Sequence, residues 1–88
     1  MNSSRVERIR LALQAAFSPQ FLEVEDQSHL HAGHAGAATG RGHFRVKVET
    51  PDFKGMPLLA RHRAVYAALV ALMQTDIHAL AIEARETS

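Results

Sequence analysis

With 88 residues the chain supports one modest core, since a domain of this size buries only about 60–65% of the surface its open chain exposes. Apolar residues make up 47% and charged residues 22%, the proportions of a globular domain, and a net charge of +1 argues against strong sequence-independent attraction to a polyanion. The chain has no cysteine, which excludes disulfides, thiolate nucleophiles and a self-contained thiolate metal site.

The first predicted element is a helix from Ser4 to about Phe17. Ser4 and Glu7 match a capping box, in which the serine accepts from an orphan backbone N–H and the glutamate reaches back to the cap. Val6, Ile9, Leu13, Ala16 and Phe17 recur at helical spacing, and Ser18-Pro19 ends the pattern because proline disfavours helical geometry just before it. The opening MNSSRVERIR lacks the apolar stretch of a secretory signal, and no apolar run approaches the roughly 18 residues that span a bilayer. A cytoplasmic protein is expected.

Two strands follow. In FLEVED, Leu22 and Val24 alternate with Glu23 and Glu25; in HFRVKVE, Phe44, Val46 and Val48 alternate with Arg45, Lys47 and Glu49. Each has period two and one wet face. Between them lies SHLHAGHAGAATGRGHF, Ser28 to Phe44, which holds His29, His31, His34 and His43 among glycine and alanine. Hairpins normally close in about two to five residues, so this connection of about fifteen is a functional excursion or a mobile segment. His29, His31 and His34 are spaced so that a pliable backbone can turn two imidazoles toward one ion, although a solvated loop whose histidines do nothing explains the spacing as well. His43 has parity opposite to Phe44 and reads as a strand-entry residue on the solvent face.

TPDFKGMP supplies a turn, with Pro57 suited to the first position of a second helix. From Leu58 to Met73 the stripe is Leu58, Arg61/His62, Val65, Leu69 and Leu72, widened by Leu59, Tyr66, Val70 and Met73. Arg61, His62 and Arg63 form a polar shoulder beside it. After a break at Gln74-Thr75-Asp76, IHALAIEA reads as a third strand, with His78, Leu80, Ile82 and Ala84 on one parity and Ile77, Ala79, Ala81 and Glu83 on the other. On that parity His78 reads as a buried histidine satisfied by hydrogen bonds, sited where a side chain can also reach the sheet's rim.

The order helix, strand, strand, helix, strand implies an α+β domain of two layers. Its sheet is three-stranded and mixed: the first two strands antiparallel, the last two parallel through a right-handed crossover, and both helices on one face. Residues 1–88 read as a single domain. No acid, base and nucleophile stand in a recognised arrangement, so an enzyme is not expected.

The histidine loop before HFRV, the FKGMPLLARHRAVY segment and IHALAIEAR resemble, in this order and spacing, the BolA family, and the RHR-x-V-Y and IHAL stretches make the match specific. The resemblance implies a fold related to the class II KH domain. It also implies a heterodimer with a monothiol glutaredoxin that holds a bridging [2Fe–2S] cluster, in iron–sulfur cluster trafficking or iron-linked regulation. In that family the histidine of the HAL motif is a ligand, which carries over to His78. The second ligand comes from the loop between the first two strands and aligns best with His31, with His34 as substitute. Because this chain lacks cysteine, the partner's cysteine and glutathione must bring the sulfur. The rival expectation is a DNA-binding transcriptional regulator, since some BolA relatives act so. Arg45, Lys47, Arg61 and Arg63 are available to phosphates, but FKGMP has one glycine where KH domains clamp nucleotides with GXXG.

Overall fold

The computed structural model describes residues 2–28 and 41–87. The elements are α1 (Asn2–Ala16), β1 (Phe21–Asp26), β2 (Gly42–Thr50), a 3₁₀ turn (Pro51–Phe53), α2 (Leu58–Ala68), α3 (Val70–Thr75) and β3 (Ile77–Glu86). The sheet order is β1-β2-β3, with β1 antiparallel and β3 parallel to the central β2, as the alternation and chain order require.

The period-two reading of β2 holds along its whole length. Phe44, Val46 and Val48 are buried against the helices, whereas His43, Arg45, Lys47 and Glu49 face the open side and stay partly exposed. Ile9 and Leu13 of α1, Val65 of α2 and Leu69 between α2 and α3 close over that buried face, so all the helices lie on one side of the sheet. Each such side chain contributes about 1.5–3 kcal/mol on leaving water. Phe53 completes the core from the 3₁₀ turn, with its ring edge-on to Phe17 at 5.1 Å between centroids. Thr50 holds that turn: its hydroxyl accepts from the Asp52 N–H at 3.1 Å and lies 2.9 Å from Asp52 Oδ2 and 3.2 Å from the Ser18 carbonyl.

Several local expectations are corrected. The first helix begins at Asn2, so Ser4 stands inside its first turn rather than ahead of it, a shift within the usual drift of helix ends. Ala16, assigned to the apolar stripe, is exposed. Pro57 precedes the second helix instead of opening it, because its ψ of 159° is extended; its carbonyl accepts the first helical bond, from Arg61 N at 3.1 Å. The continuous helix over Leu58–Met73 is broken at Leu69, whose φ of −107° and ψ of 12° leave helical geometry. The residues taken to widen its stripe lie largely outside: Leu59, Tyr66 and Val70 are exposed, as is Leu58 of the stripe itself. With three strands to cover and α1 already on the same face, the sheet leaves room for only a narrow strip of α2. Arg61 joins that strip through its guanidinium, which donates to the carbonyls of Met56 at 2.8 Å and Ala84 at 3.3 Å.

Candidate functional site

The segment carrying His29, His31 and His34 lies outside the described residues, but both of its anchors are fixed. Ser28 closes a small turn, its N–H donating to Asp26 Oδ1 at 2.8 Å, and its Oγ accepts from the His43 N–H at 3.1 Å. On the return side the Arg41 guanidinium donates to the Met73 carbonyl at 3.0 Å, and Gly42 N–H donates to the Asp76 carbonyl at 2.9 Å. Gly42 is required by close packing: a Cβ there would stand 2.6 Å from Ser28 Oγ and 2.7 Å from the Phe44 ring.

His78 is exposed, contrary to the expectation of a buried histidine. The cause is a register shift between Gly42 and His43, where Gly42 pairs with Ile77 but His43 pairs with Ala79. This bulge inserts one residue into β3. Ile77 consequently stays in the core at 0% exposure, Leu80 returns to the helix side, and His78 and Ala79 are both displaced outward. The His78 ring comes to rest 5.3 Å from that of His43, centroid to centroid, with 47° between the planes. Gln27, Ala79 and Ala81 border a shallow groove next to His43, open because the two alanines present only methyl groups.

Beneath this corner lies Asp76, read from the sequence only as part of a break between helix and strand. Its carboxylate is nearly buried and is bound by the Arg8 guanidinium, by Arg5 Nε at 3.4 Å and by the Thr75 hydroxyl at 2.5 Å. The Thr75 hydrogen bond, then that of Arg8 and the charges of both arginines, hold its pKa below the ordinary 3.8 against the opposing effect of burial. Asp76 thus fastens α1 to the residue two before His78 and fixes where β3 begins.

Farther along the open face, Glu83 pairs with Arg45 at 2.9 Å, Lys47 at 3.4 Å and Arg85 at 3.2 Å, while Glu23 approaches Arg45 at 4.0 Å. Burial raises the Glu83 pKa, but the Lys47 hydrogen bond and the surrounding cations outweigh it and leave the pKa lowered. The basic residues considered for phosphate contact are therefore engaged at Arg45, Lys47 and Arg61, the last also 3.6 Å from Glu86; Arg63 is exposed.

Of the sequence-predicted ligands, His78 is exposed at this corner of the sheet, and His31 and His34 lie outside the described residues. The residue missed as a neighbour of His78 is His43. The signal for it was available: each is the second residue of its strand, and parallel strands start at the same end of a sheet. Among the described residues no three of histidine, cysteine, aspartate or glutamate are grouped to hold a metal ion. With no cysteine thiolate in the chain, the donors present suit a shared site in which an exposed imidazole meets ligands from elsewhere, and they do not suit a self-contained cluster. No helix among the described residues is long and apolar enough to cross a membrane.

Comparison with known proteins agrees with this architecture. Residues 13–88 match the family described as BolA-like protein. The chain is 43% identical over 76 residues to the DNA-binding transcriptional regulator BolA of Escherichia coli K12, covering 86% of this chain and 70% of that protein. It is 41% identical over 88 residues to Protein BOLA1, chloroplastic, of Arabidopsis thaliana, covering 97% of this chain but only 55%, or about half, of the plant protein. In structure it is similar to the BolA domain of SufE1 from A. thaliana, with a TM-score of 0.82, 38% identity and coverage of 94% and 92% of the two chains. The chain belongs to the BolA family.

Proposed function

We propose that this protein is an adaptor that pairs with a monothiol glutaredoxin and shares a bridging [2Fe–2S] cluster with it, in cluster trafficking or iron-linked regulation. The observation that carries the reading is the position of His78, an exposed imidazole at the corner of the sheet where the histidine-bearing segment is anchored. Ser28 is hydrogen-bonded to His43, whose ring adjoins that of His78. His31 follows Ser28 by three residues, a reach of up to about 10 Å in extended chain, so it is tethered within range of the same corner. His78 and His31, with His34 as substitute, are this chain's ligands, and the glutaredoxin cysteine with glutathione provides the sulfur. The cluster supplies one-electron redox capacity or is itself the cargo, and imidazole in place of thiolate raises its potential by removing negative charge. We place this activity in the cytoplasm, where glutathione keeps thiols available; one relative carries a chloroplastic name.

The test is to combine the protein with a monothiol glutaredoxin, glutathione, iron and sulfide under anaerobic conditions. Visible absorption and circular dichroism are then compared for wild type, His31→Ala, His34→Ala and His78→Ala. The wild-type mixture should give a spectrum distinct from that of the glutaredoxin alone, and His78→Ala should remove the difference. An unchanged spectrum in His78→Ala refutes the reading.

The second reading, a DNA-binding regulator, is favoured by the name of the E. coli relative. Against it stand the engaged basic residues and the single glycine, Gly55, in the turn before α2. If it holds, affinity for duplex DNA falls steeply with salt, survives removal of the loop histidines and drops on Arg63→Ala.

A further inference from the structure

We infer that His43 and His78 together form a half-site for an imidazole-seeking divalent cation of the zinc type, assembled by the bulge in β3 and complete without the loop histidines. The inference makes His43, which the proposed cluster reading leaves without a part, a ligand. It rests on that reading only in sharing His78.

The geometry is the first support. A metal bound by a ring nitrogen at about 2.0–2.1 Å lies about 3.1 Å from the ring centroid, so two imidazoles on one tetrahedral ion have centroids about 5 Å apart. The observed separation is 5.3 Å, with the planes inclined at 47° rather than stacked, so a small rotation about the side-chain bonds brings both rings onto one ion.

The backbone is the second support. A histidine in regular alternation back from Leu80 and Ala79 would stand opposite the buried Gly42, on the helix side; the extra residue turns it outward beside His43 instead. Bulges re-aim side chains at functional positions, and this one is held from three sides. Gly42 N–H binds the Asp76 carbonyl, the Asp76 side chain is bound by Arg5 and Arg8, and His43 N–H is held by Ser28. A pair of ligands fixed in advance gains affinity because little ordering is left for the ion to impose.

Surroundings are the third. Ala79 and Ala81 leave the groove beside His43 open, and Gln27 on its border has its amide nitrogen committed to Glu25 Oε1 at 3.0 Å, which leaves its carbonyl oxygen as the part able to accept. Two coordination positions therefore remain for water or for a donor from another molecule. Such a site binds its ion weakly enough to exchange it, unlike a closed four-ligand site.

The experiment is a zinc titration of the protein followed through the ring nitrogens of ¹⁵N-labelled histidine by long-range ¹H–¹⁵N correlation. It is run on wild type and on the variant with His29→Ala, His31→Ala and His34→Ala combined. The ring signals of His43 and His78 should move together and saturate at one equivalent in both proteins. His43→Gln should weaken the response of His78 by about tenfold or more, and His78→Gln should weaken that of His43 equally, with the backbone amide spectrum reporting that each variant is folded. The inference is overturned if His78 responds with unchanged affinity in His43→Gln, or if the triple variant no longer responds. The cluster reading fails separately: a glutaredoxin mixture unaffected by His78→Ala defeats it while leaving the zinc result standing.

Discussion

Arg8 in the first helix and Asp76 at the threshold of the last strand form an ion pair across 68 positions of sequence, and this contact closes the corner that carries both described candidate ligands. The carboxylate is nearly buried, so removing it leaves Arg5 and Arg8 without their shared partner. Asp76→Ala should lower stability by about 1–3 kcal/mol, seen in urea denaturation as an earlier midpoint with unchanged slope.

The same residue sets a pH dependence. Its pKa is lower folded than the ordinary 3.8, so near that pH the unfolded chain takes up the proton first. The stability it contributes is complete above that value and is lost as pH falls through the lower folded pKa. Denaturation midpoints between pH 6 and pH 2 should therefore fall more steeply for wild type than for Asp76→Asn, with the two curves converging at the acid end.

Gly42 and Gly55 are expected to respond differently to alanine. At Gly42 the new methyl group would collide with Ser28 and with the buried Phe44 ring, and overpacking of this kind costs about 1–3 kcal/mol. At Gly55 there is no atom within 4 Å, and the cost is the backbone's alone: φ of 78° disfavours an L side chain by about 1–2 kcal/mol. Only Gly42→Ala should also disturb the amide resonances of Ser28 and His43.

In the core, Phe53→Ala removes a ring at 0% exposure together with its edge-on contact to Phe17, a loss of about 3–5 kcal/mol. That is a large part of the stability of a domain this small, so thermal denaturation should show a marked fall in Tm or no cooperative transition.

His78→Ala should leave Tm almost unchanged, within about 0.5 kcal/mol, because the ring is exposed. A thermal melt beside the spectrum of the glutaredoxin mixture separates a lost ligand from a lost fold.

The amino-acid sequence by itself determined the element order, the alternation of β1 and β2, the antiparallel and parallel pairings and the single helical face. It could do so because period two and period 3.6 are properties of a few consecutive residues and need no knowledge of what lies opposite. The exposed His78, the break at Leu69 and the exposure of Leu59, Tyr66 and Val70 were decided by tertiary structure. Each depends on where one element meets another: a bulge between β2 and β3, or the limited area of sheet left beside α1. Asp76 and its arginines are so far apart in the chain that no local pattern connects them. The pairing of His43 with His78 stands between these cases. Parallel strands bring their first residues to the same end, but only the inserted residue in β3 turned the second imidazole toward the first.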